Sequence, residues 1–183
     1  MCGRFTLRTP SEVLIRVFQT PAFPELHPRW NIAPTQQIVG VTAGLDSPER
    51  NVGWFHWGLV PFWADDPSIG SRMLNARSET AAEKPAFRAA FRKRRCLIPA
   101  DGFYEWQKLA TGKKQPWWIH QPDEQPFAMA GLWETWTPGG KHPVDHAAKP
   151  LLTCTILTTS ASSDLRGLHD RMPVILPPET WAT

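Results

Sequence analysis

Residues 96–107 read Cys96-Leu97-Ile98-Pro99-Ala100-Asp101-Gly102-Phe103-Tyr104-Glu105-Trp106-Gln107, two apolar and aromatic runs either side of an Asp-Gly pair. Asp-Gly is a turn signal, and the flanking runs have strand composition, so Leu97 to Pro99 and Gly102 to Gln107 are expected as successive strands. Working outward, the same character recurs at Ile38 to Thr42, Val52 to Leu59, Trp117 to His120, Phe127 to Trp133 and Leu151 to Thr159. Thr111-Gly112-Lys113 and Pro138-Gly139-Gly140 supply further turns. Helical signals are few. Thr9-Pro10-Ser11-Glu12 reads as an N-cap, a first-turn proline and a capping box, with Leu14, Val17 and Phe18 on one face of a helix ending near Gln19. A second helical stretch is expected after Ser78 as N-cap, interrupted at Lys84-Pro85 and resumed through Phe87 and Phe91. The sum is an α+β fold, one mostly antiparallel, strongly curved sheet or open β-barrel flanked by a few helices.

At 183 residues the chain is expected to form one domain over 1–183. Hydrophobic residues at 42% and charged residues at 20% exclude a disordered chain. No stretch approaches the ~20 apolar residues of a membrane span, and no signal peptide is visible, so a cytoplasmic protein, associated with the nucleoid if it binds DNA, is expected. Ten Trp accompany a single Tyr. Trp serves a dense core and also offers a flat face to a nucleobase; Trp54, Trp117, Trp118 and Trp133 are assigned to the core. A net charge of +3 permits nucleic-acid binding without requiring it. Arg92, Lys93, Arg94 and Arg95 form a basic run that either complements a helix C-terminus or contributes to an electrostatic funnel.

Three cysteines make no disulfide framework. Cys96 and Cys154 sit in apolar runs and read as buried thiols. Cys2 differs. Methionine is generally removed before a residue as small as cysteine, which would leave an α-amine and a thiol on one residue. Their unperturbed pKa values, ~7.7–8.0 and ~8.5, leave some neutral amine and a little thiolate at pH 7. Such a 1,2-aminothiol condenses with an aldehyde to an imine, which the sulfur closes to a five-membered thiazolidine. Read alone, Met-Cys is better taken as the chance opening of a strand. Gly3-Arg4-Phe5 shifts that balance, because Gly3 admits a ligand close to the backbone and Arg4 sets a cation near the thiol.

Glu105 lies between Tyr104 and Trp106, where a carboxylate is costly to bury and desolvation favours the neutral acid needed for proton transfer; the other reading is a strand glutamate facing solvent. Asn75 and Arg77, two apart, share one side of an extended segment. His142 and His146 are four apart in a Gly- and Pro-bearing stretch, Thr137 to Pro150, expected as an exposed loop; they lack an evident third ligand, so no metal or other cofactor is expected.

Met1-Cys2-Gly3-Arg4-Phe5 resembles the start of chains in the SRAP (SOS response-associated peptidase) family. Asn31-Ile32-Ala33-Pro34, Trp57-Gly58-Leu59-Val60-Pro61, Asn75-Ala76-Arg77-Ser78-Glu79, Gly102-Phe103-Tyr104-Glu105-Trp106 and His169-Asp170-Arg171-Met172-Pro173 follow in the family's order. The resemblance implies a monomer that captures abasic sites in single-stranded DNA through Cys2, after self-cleavage that removes Met1. It implies catalytic roles for Cys2, Asn75, Glu105 and His169. It also implies DNA contacts from Arg4, Arg77 and Arg171, with Pro34, Trp63 and Trp106 packing against bases beside the lesion. Stacking of that kind is worth ~1–3 kcal/mol per base and tolerates any sequence. Pro177-Pro178-Glu179 reads as a helix start just before Thr183, and family members usually continue for some tens of residues, so either a shortened or a divergent member is expected. Two alternatives remain open. Glutamine amidotransferases with an N-terminal nucleophile also begin Met-Cys-Gly, though they continue with Ile; and a non-catalytic single-strand binder would use the Trp and Arg surface alone.

Overall fold

The computed structural model describes residues 3–44, 49–139 and 149–181. Five strands close a barrel: β3 (Gln37–Ala43), β4 (Arg50–Trp57), β6 (Arg95–Ala100), β9 (Phe127–Trp136) and β10 (Leu151–Ser160). Around the ring β10 pairs with β4, β4 with β3, β3 with β6, β6 with β9, and β9 returns to β10. The barrel expected to be open is therefore closed, and closure removes the edges that an open sheet would leave unpaired. The β4–β10 contact is parallel, with Thr153 opposite His56 and Cys154 opposite Trp57. Short strands β5 (Asn75–Arg77), β11 (Arg171–Pro173) and β12 (Ile175–Leu176) join the barrel wall, β5 parallel to β10, β11 antiparallel to β10, and β12 antiparallel to β9.

A second sheet of four strands, β1 (Phe5–Leu7), β2 (Arg29–Ile32), β7 (Gly102–Lys108) and β8 (Lys114–His120), runs in the order β2-β1-β7-β8. The Asp101-Gly102 pair does not fold β6 back on β7. It is the point at which the chain leaves the barrel and enters the other sheet. Asp101 is buried there, and its carboxylate accepts the backbone N–H of Arg8 and of Thr9 and the hydroxyl of Thr9. A buried charge needs such donors. Gly102 is required by close approach: a Cβ at this position would lie 2.3 Å from Trp118 Nε1 and 2.8 Å from the Ile119 carbonyl oxygen.

Thr9 therefore does not cap the first helix. Helix α1 (Ser11–Phe18) begins with Pro10 at the N-cap position and no side-chain cap, while the Thr9 hydroxyl serves Asp101. Leu14 and Phe18 are buried as the periodicity requires, with Val17 partly buried beside them. Ser78 is likewise the first residue of α2 (Ser78–Ala81), with Arg77 at its N-cap position. After the interruption, α3 (Arg88–Lys93) follows, and Phe87 and Phe91 pack against the cluster of Leu59, Ala90 and Leu132. Arg92 and Lys93 fall in the last turn of α3, as dipole complementarity expects. Arg94 instead pairs at 2.6 Å with the buried carboxylate of Glu134, and Arg95 opens β6.

The buried indoles are Trp57, Trp136 and Trp181, the last stacked on Phe18 at 4.7 Å. Trp54 and Trp117, expected in the core, are exposed. Alternation along β4 turns Phe55 and Trp57 inward and Trp54 outward. Trp117 lies midway along β8, the edge strand of the small sheet, and stays 49% exposed. Trp118 and Trp133 are half-buried. Pro178–Thr180 forms a 3₁₀ turn in place of the expected α-helix start. His142 and His146 lie outside the described residues, as does most of the expected loop. Among the described residues no group of acidic, His and Cys side chains could hold a metal, and no helix is long and apolar enough to cross a membrane.

Candidate functional site

One end of β10 gathers two of the sequence motifs. Strand β5 lies on one side of it, with Asn75 opposite Ile156 and Arg77 opposite Thr158; β11 lies on the other, with Arg171 opposite Ser160. Asn75 and Arg77 flank the buried Ala76, so both point away from the core on the same side, as their spacing expected. Arg77 is exposed and Asn75 half-buried.

Arg171 is committed within this cluster. Its guanidinium forms a two-pronged pair with Glu79, at 2.6 and 2.9 Å, and donates to the Thr158 carbonyl at 2.6 Å. A bidentate pair of this kind is strong and geometrically specific. Any phosphate meeting Arg171 would compete with Glu79. That pairing holds the Glu79 carboxyl at about 2, below the ordinary 4.5, chiefly through the hydrogen bond from Arg171.

The backbone N–H of Arg171 donates to Nδ1 of His169 at 2.9 Å, and Asp170 Oδ1 lies 2.8 Å from the same nitrogen. One nitrogen cannot do both at once. In the neutral ring Nδ1 accepts from Arg171 and the proton sits on Nε2; in the charged ring Nδ1–H faces Asp170. The turn thus suits each protonation state with a separate partner.

The N-terminal motif lies on the small sheet. Phe5 pairs with Phe103 and Thr6 with Gly102, and the Tyr104 N–H donates to the Arg4 carbonyl at 2.9 Å. Continued by one residue, this antiparallel register brings Gly3 toward Glu105. Glu105 is buried, at 4% exposure, so the solvent-facing reading of this glutamate fails. Arg4 Nη1 donates to Asn31 Oδ1 at 3.0 Å, which ties the Met-Cys-Gly-Arg motif to Asn31-Ile32-Ala33-Pro34. Pro34 is half-buried in the turn after β2, and that turn binds Trp57 through Thr35 N–H and the Gln36 carbonyl. Trp63 packs its half-buried ring against Val60, Ala64 and Trp136. Trp106 is 37% exposed, and alternation sends it to the face of β7 opposite Glu105. Cys2 lies outside the described residues.

Three residues carry more than their sequence context suggested. Trp57 is wholly buried, meets Phe5 edge-on at 5.3 Å, and donates its indole N–H to the Leu74 carbonyl at 2.9 Å. It therefore links the small sheet to the entrance of β5. Glu79 stands in a quoted motif without a role; an acid two residues after Arg77, matched to an arginine in another motif, was the available signal. Trp117 faces Glu105 across β7 and β8, and nothing in sequence distinguished it from a core tryptophan.

This is a small closed-barrel protein with a polar cluster of motif residues on the barrel wall and its own N-terminal strand on a separate sheet. The chain belongs to the family described as SOS response associated peptidase (SRAP), whose model matches residues 1–183. It is 44% identical over 183 residues to the abasic site processing protein YoqW of Bacillus subtilis (strain 168), covering 98% of this chain and 77% of that protein. Over 185 residues it is 32% identical to the abasic site processing protein YedK of Escherichia coli (strain K12), again covering 98% and 77%. A solved structure of a protein from Bacteroides thetaiotaomicron superposes with a TM-score of 0.84 at 27% identity, over 100% of this chain and 81% of that one.

Proposed function

We propose that this protein processes abasic sites in single-stranded DNA by forming a covalent adduct between Cys2, freed of Met1, and the ring-opened sugar. The observation that carries the reading is the buried Glu105 carboxylate on the strand paired with the N-terminal strand. Consecutive Cα atoms are ~3.8 Å apart, so a reactive group on Cys2 cannot be far from the Gly3 end of that register. The relatives' name as abasic site processing proteins supports the same substrate.

The chemistry follows from the groups available. The Cys2 amine attacks the C1′ aldehyde to give a carbinolamine. Glu105 passes a proton to the departing hydroxyl; water leaves and an imine remains. The Cys2 sulfur, having lost its proton, adds to the imine carbon, the nitrogen takes up a proton, and the thiazolidine closes. His169, with its proton on Nε2, serves as a donor to the opened sugar, and Asp170 supports the ring when it is charged. Asn75 orients the amine or the sugar, while Arg4 and Arg77 hold phosphates. Arg171 acts with Glu79 to hold the 169–171 turn, and Pro34, Trp63 and Trp106 line the path of the bases. Glu105 would also assist the hydrolysis that removes Met1. The protein acts as a monomer in this scheme.

The test is incubation with an oligonucleotide carrying one abasic site, read by denaturing gel and intact mass. The protein should lack Met1 and gain the oligonucleotide mass less one water. Cys2→Ala should give no adduct, and Glu105→Gln should slow its formation by ~10²–10⁴-fold, the usual share of a positioned proton donor. Adduct formation by Cys2→Ala at the wild-type rate would sink the proposal.

A further inference from the structure

The small sheet turns one face into the core and the other outward. Phe5, Phe103 and Ile119 point inward on the side of Glu105, so alternation sends Arg4, Tyr104, Trp106, Lys108, Lys114 and Trp118 outward. Trp118 agrees with that side: its ring lies where a Cβ of Gly102 would point, and its indole N–H donates to the Thr6 hydroxyl at 3.2 Å. The β1–β2 register shifts between Phe5 and Leu7, so contacts rather than alternation place Trp30. The Arg8 guanidinium lies 5.1 Å from the Trp30 ring and 5.3 Å from that of Trp118, which sets Trp30 at the border of the outer face. At 56% it is the most exposed large apolar side chain among the described residues.

Tyr104 joins the two exposed indoles of this face. Its ring meets Trp106 at 6.4 Å, and its hydroxyl donates to the Trp30 carbonyl at 3.2 Å. The strands around them supply cations and almost no acid. Glu105 is the only acidic residue in β1, β2, β7 and β8, and it points the other way. Lys108 and Lys114 face each other one step beyond Trp106, both exposed, and among the described residues neither is in an ion pair. Like charges directly opposite on a sheet are unfavourable, and an anion between them relieves the repulsion. Arg4 stands opposite Tyr104 on the other side, while Arg8 is paired with Glu124 and serves as a backing for Trp30.

We infer that the outer face of the small sheet carries the nucleic-acid strand beyond the nucleotides beside the lesion, with Trp30 as a second base platform after Trp106 and with Lys108 and Lys114 holding phosphates. The inference rests on the abasic-site reading above and adds to it a length of strand and its track. Exposed indoles and cations follow one another diagonally across this one face: the two lysines, Trp106, Arg4, then Trp30. That pairing is how single-strand grooves bind, bases on aromatic rings and backbone on cations. A proline-rich peptide would use the indoles and leave the lysines idle.

The experiment measures reversible binding of oligonucleotides carrying a tetrahydrofuran abasic analogue, which has no aldehyde and forms no adduct. The analogue is flanked by a single nucleotide on both sides, or by several. Wild-type protein should bind the longer strand more tightly. Trp30→Ala should weaken binding of the longer strand ~5–150-fold and leave the short one unchanged, while Trp30→Phe, which keeps a flat ring, should retain most of the gain. Replacing Lys108 and Lys114 together by Gln should reduce the slope of log Kd against log salt by ~1.4 on the longer strand, two phosphates at ~0.7 each. Trp54→Ala, which removes an exposed indole from the barrel, should change neither. A wild type that gains nothing from length overturns the inference. So do a gain that survives the Trp30→Ala and lysine variants, and losses equal on short and long strands. Each of those results leaves the Cys2 adduct of the wild type intact. Failure of the wild type to form that adduct with a true abasic site strikes the underlying reading instead.

Discussion

Glu79 and Arg171 come from motifs 92 residues apart and meet in a two-pronged pair beside His169. The Glu79 carboxyl is lower in the folded protein than its ordinary 4.5, at about 2. A depressed folded value means that the pair contributes stability above the unfolded value and loses it as pH falls toward the folded one. Glu79→Gln should therefore lower the melting temperature at pH 6, and the gap to wild type should close between about pH 4.5 and 2; a gap independent of pH would contradict the pairing. The cysteines permit a second check at this scale. Burial pushes the Cys96 and Cys154 thiols well above their ordinary value, so neither is a nucleophile near neutrality. Alkylation of the native protein followed by peptide mass analysis should label Cys2 alone, with Cys96 and Cys154 reacting only after unfolding.

Asp101 and Gly102 act at the level of elements, where β6 ends in one sheet and β7 begins in the other. The buried Asp101 carboxylate binds the end of β1, and Gly102 lets β7 approach Trp118 and Ile119 too closely for any side chain. Gly102→Ala has to displace the Trp118 ring and also meets the Ile119 carbonyl, which is backbone and cannot swing aside. The expected cost is ~1–3 kcal/mol, the range for overpacking. At ~2–4 °C per kcal/mol for a chain of this size, melting should fall by several degrees. A melting temperature equal to wild type would mean that the two sheets separate more easily than this contact implies.

For the molecule as a whole, Trp57 links the small sheet to the entrance of β5 through the core. It contacts Phe5 of the small sheet and holds the Leu74 carbonyl at the entrance to β5. Trp57→Phe keeps an aromatic ring but removes one of that carbonyl's two donors, the Ile156 N–H remaining, a loss of ~0.5–1.5 kcal/mol for one hydrogen bond. It should also shift Asn75 relative to the N-terminal strand. Adduct formation is expected to slow more than reversible binding weakens, since binding draws on surface arginines and adduct formation on alignment. Equal losses in both would argue that the barrel simply loosens. Closure through β9–β10 supports this geometry, because a closed wall holds β5 and β11 against one strand, β10.

Sequence by itself determined the strand-rich character, the positions of the seven longer strands, α1, and the buried state of Cys96 and Cys154. Each of these follows from local composition and period, which neighbours in the chain suffice to set. It also determined which residues to watch, because the six motifs carry unusual chemistry in short stretches. Barrel closure, the parallel β4–β10 contact and the short strands β1, β2, β5, β11 and β12 were decided only by tertiary structure: two to four residues hold too little pattern to announce a strand, and pairing between distant segments leaves no local trace. The same holds for Trp54 and Trp117, since a tryptophan's burial depends on which layer covers it. Glu105 shows the division most clearly. Its aromatic neighbours in the 96–107 stretch left two faces open, and the packing of Phe5 and Phe103 into the core put Glu105 on the covered face of the small sheet.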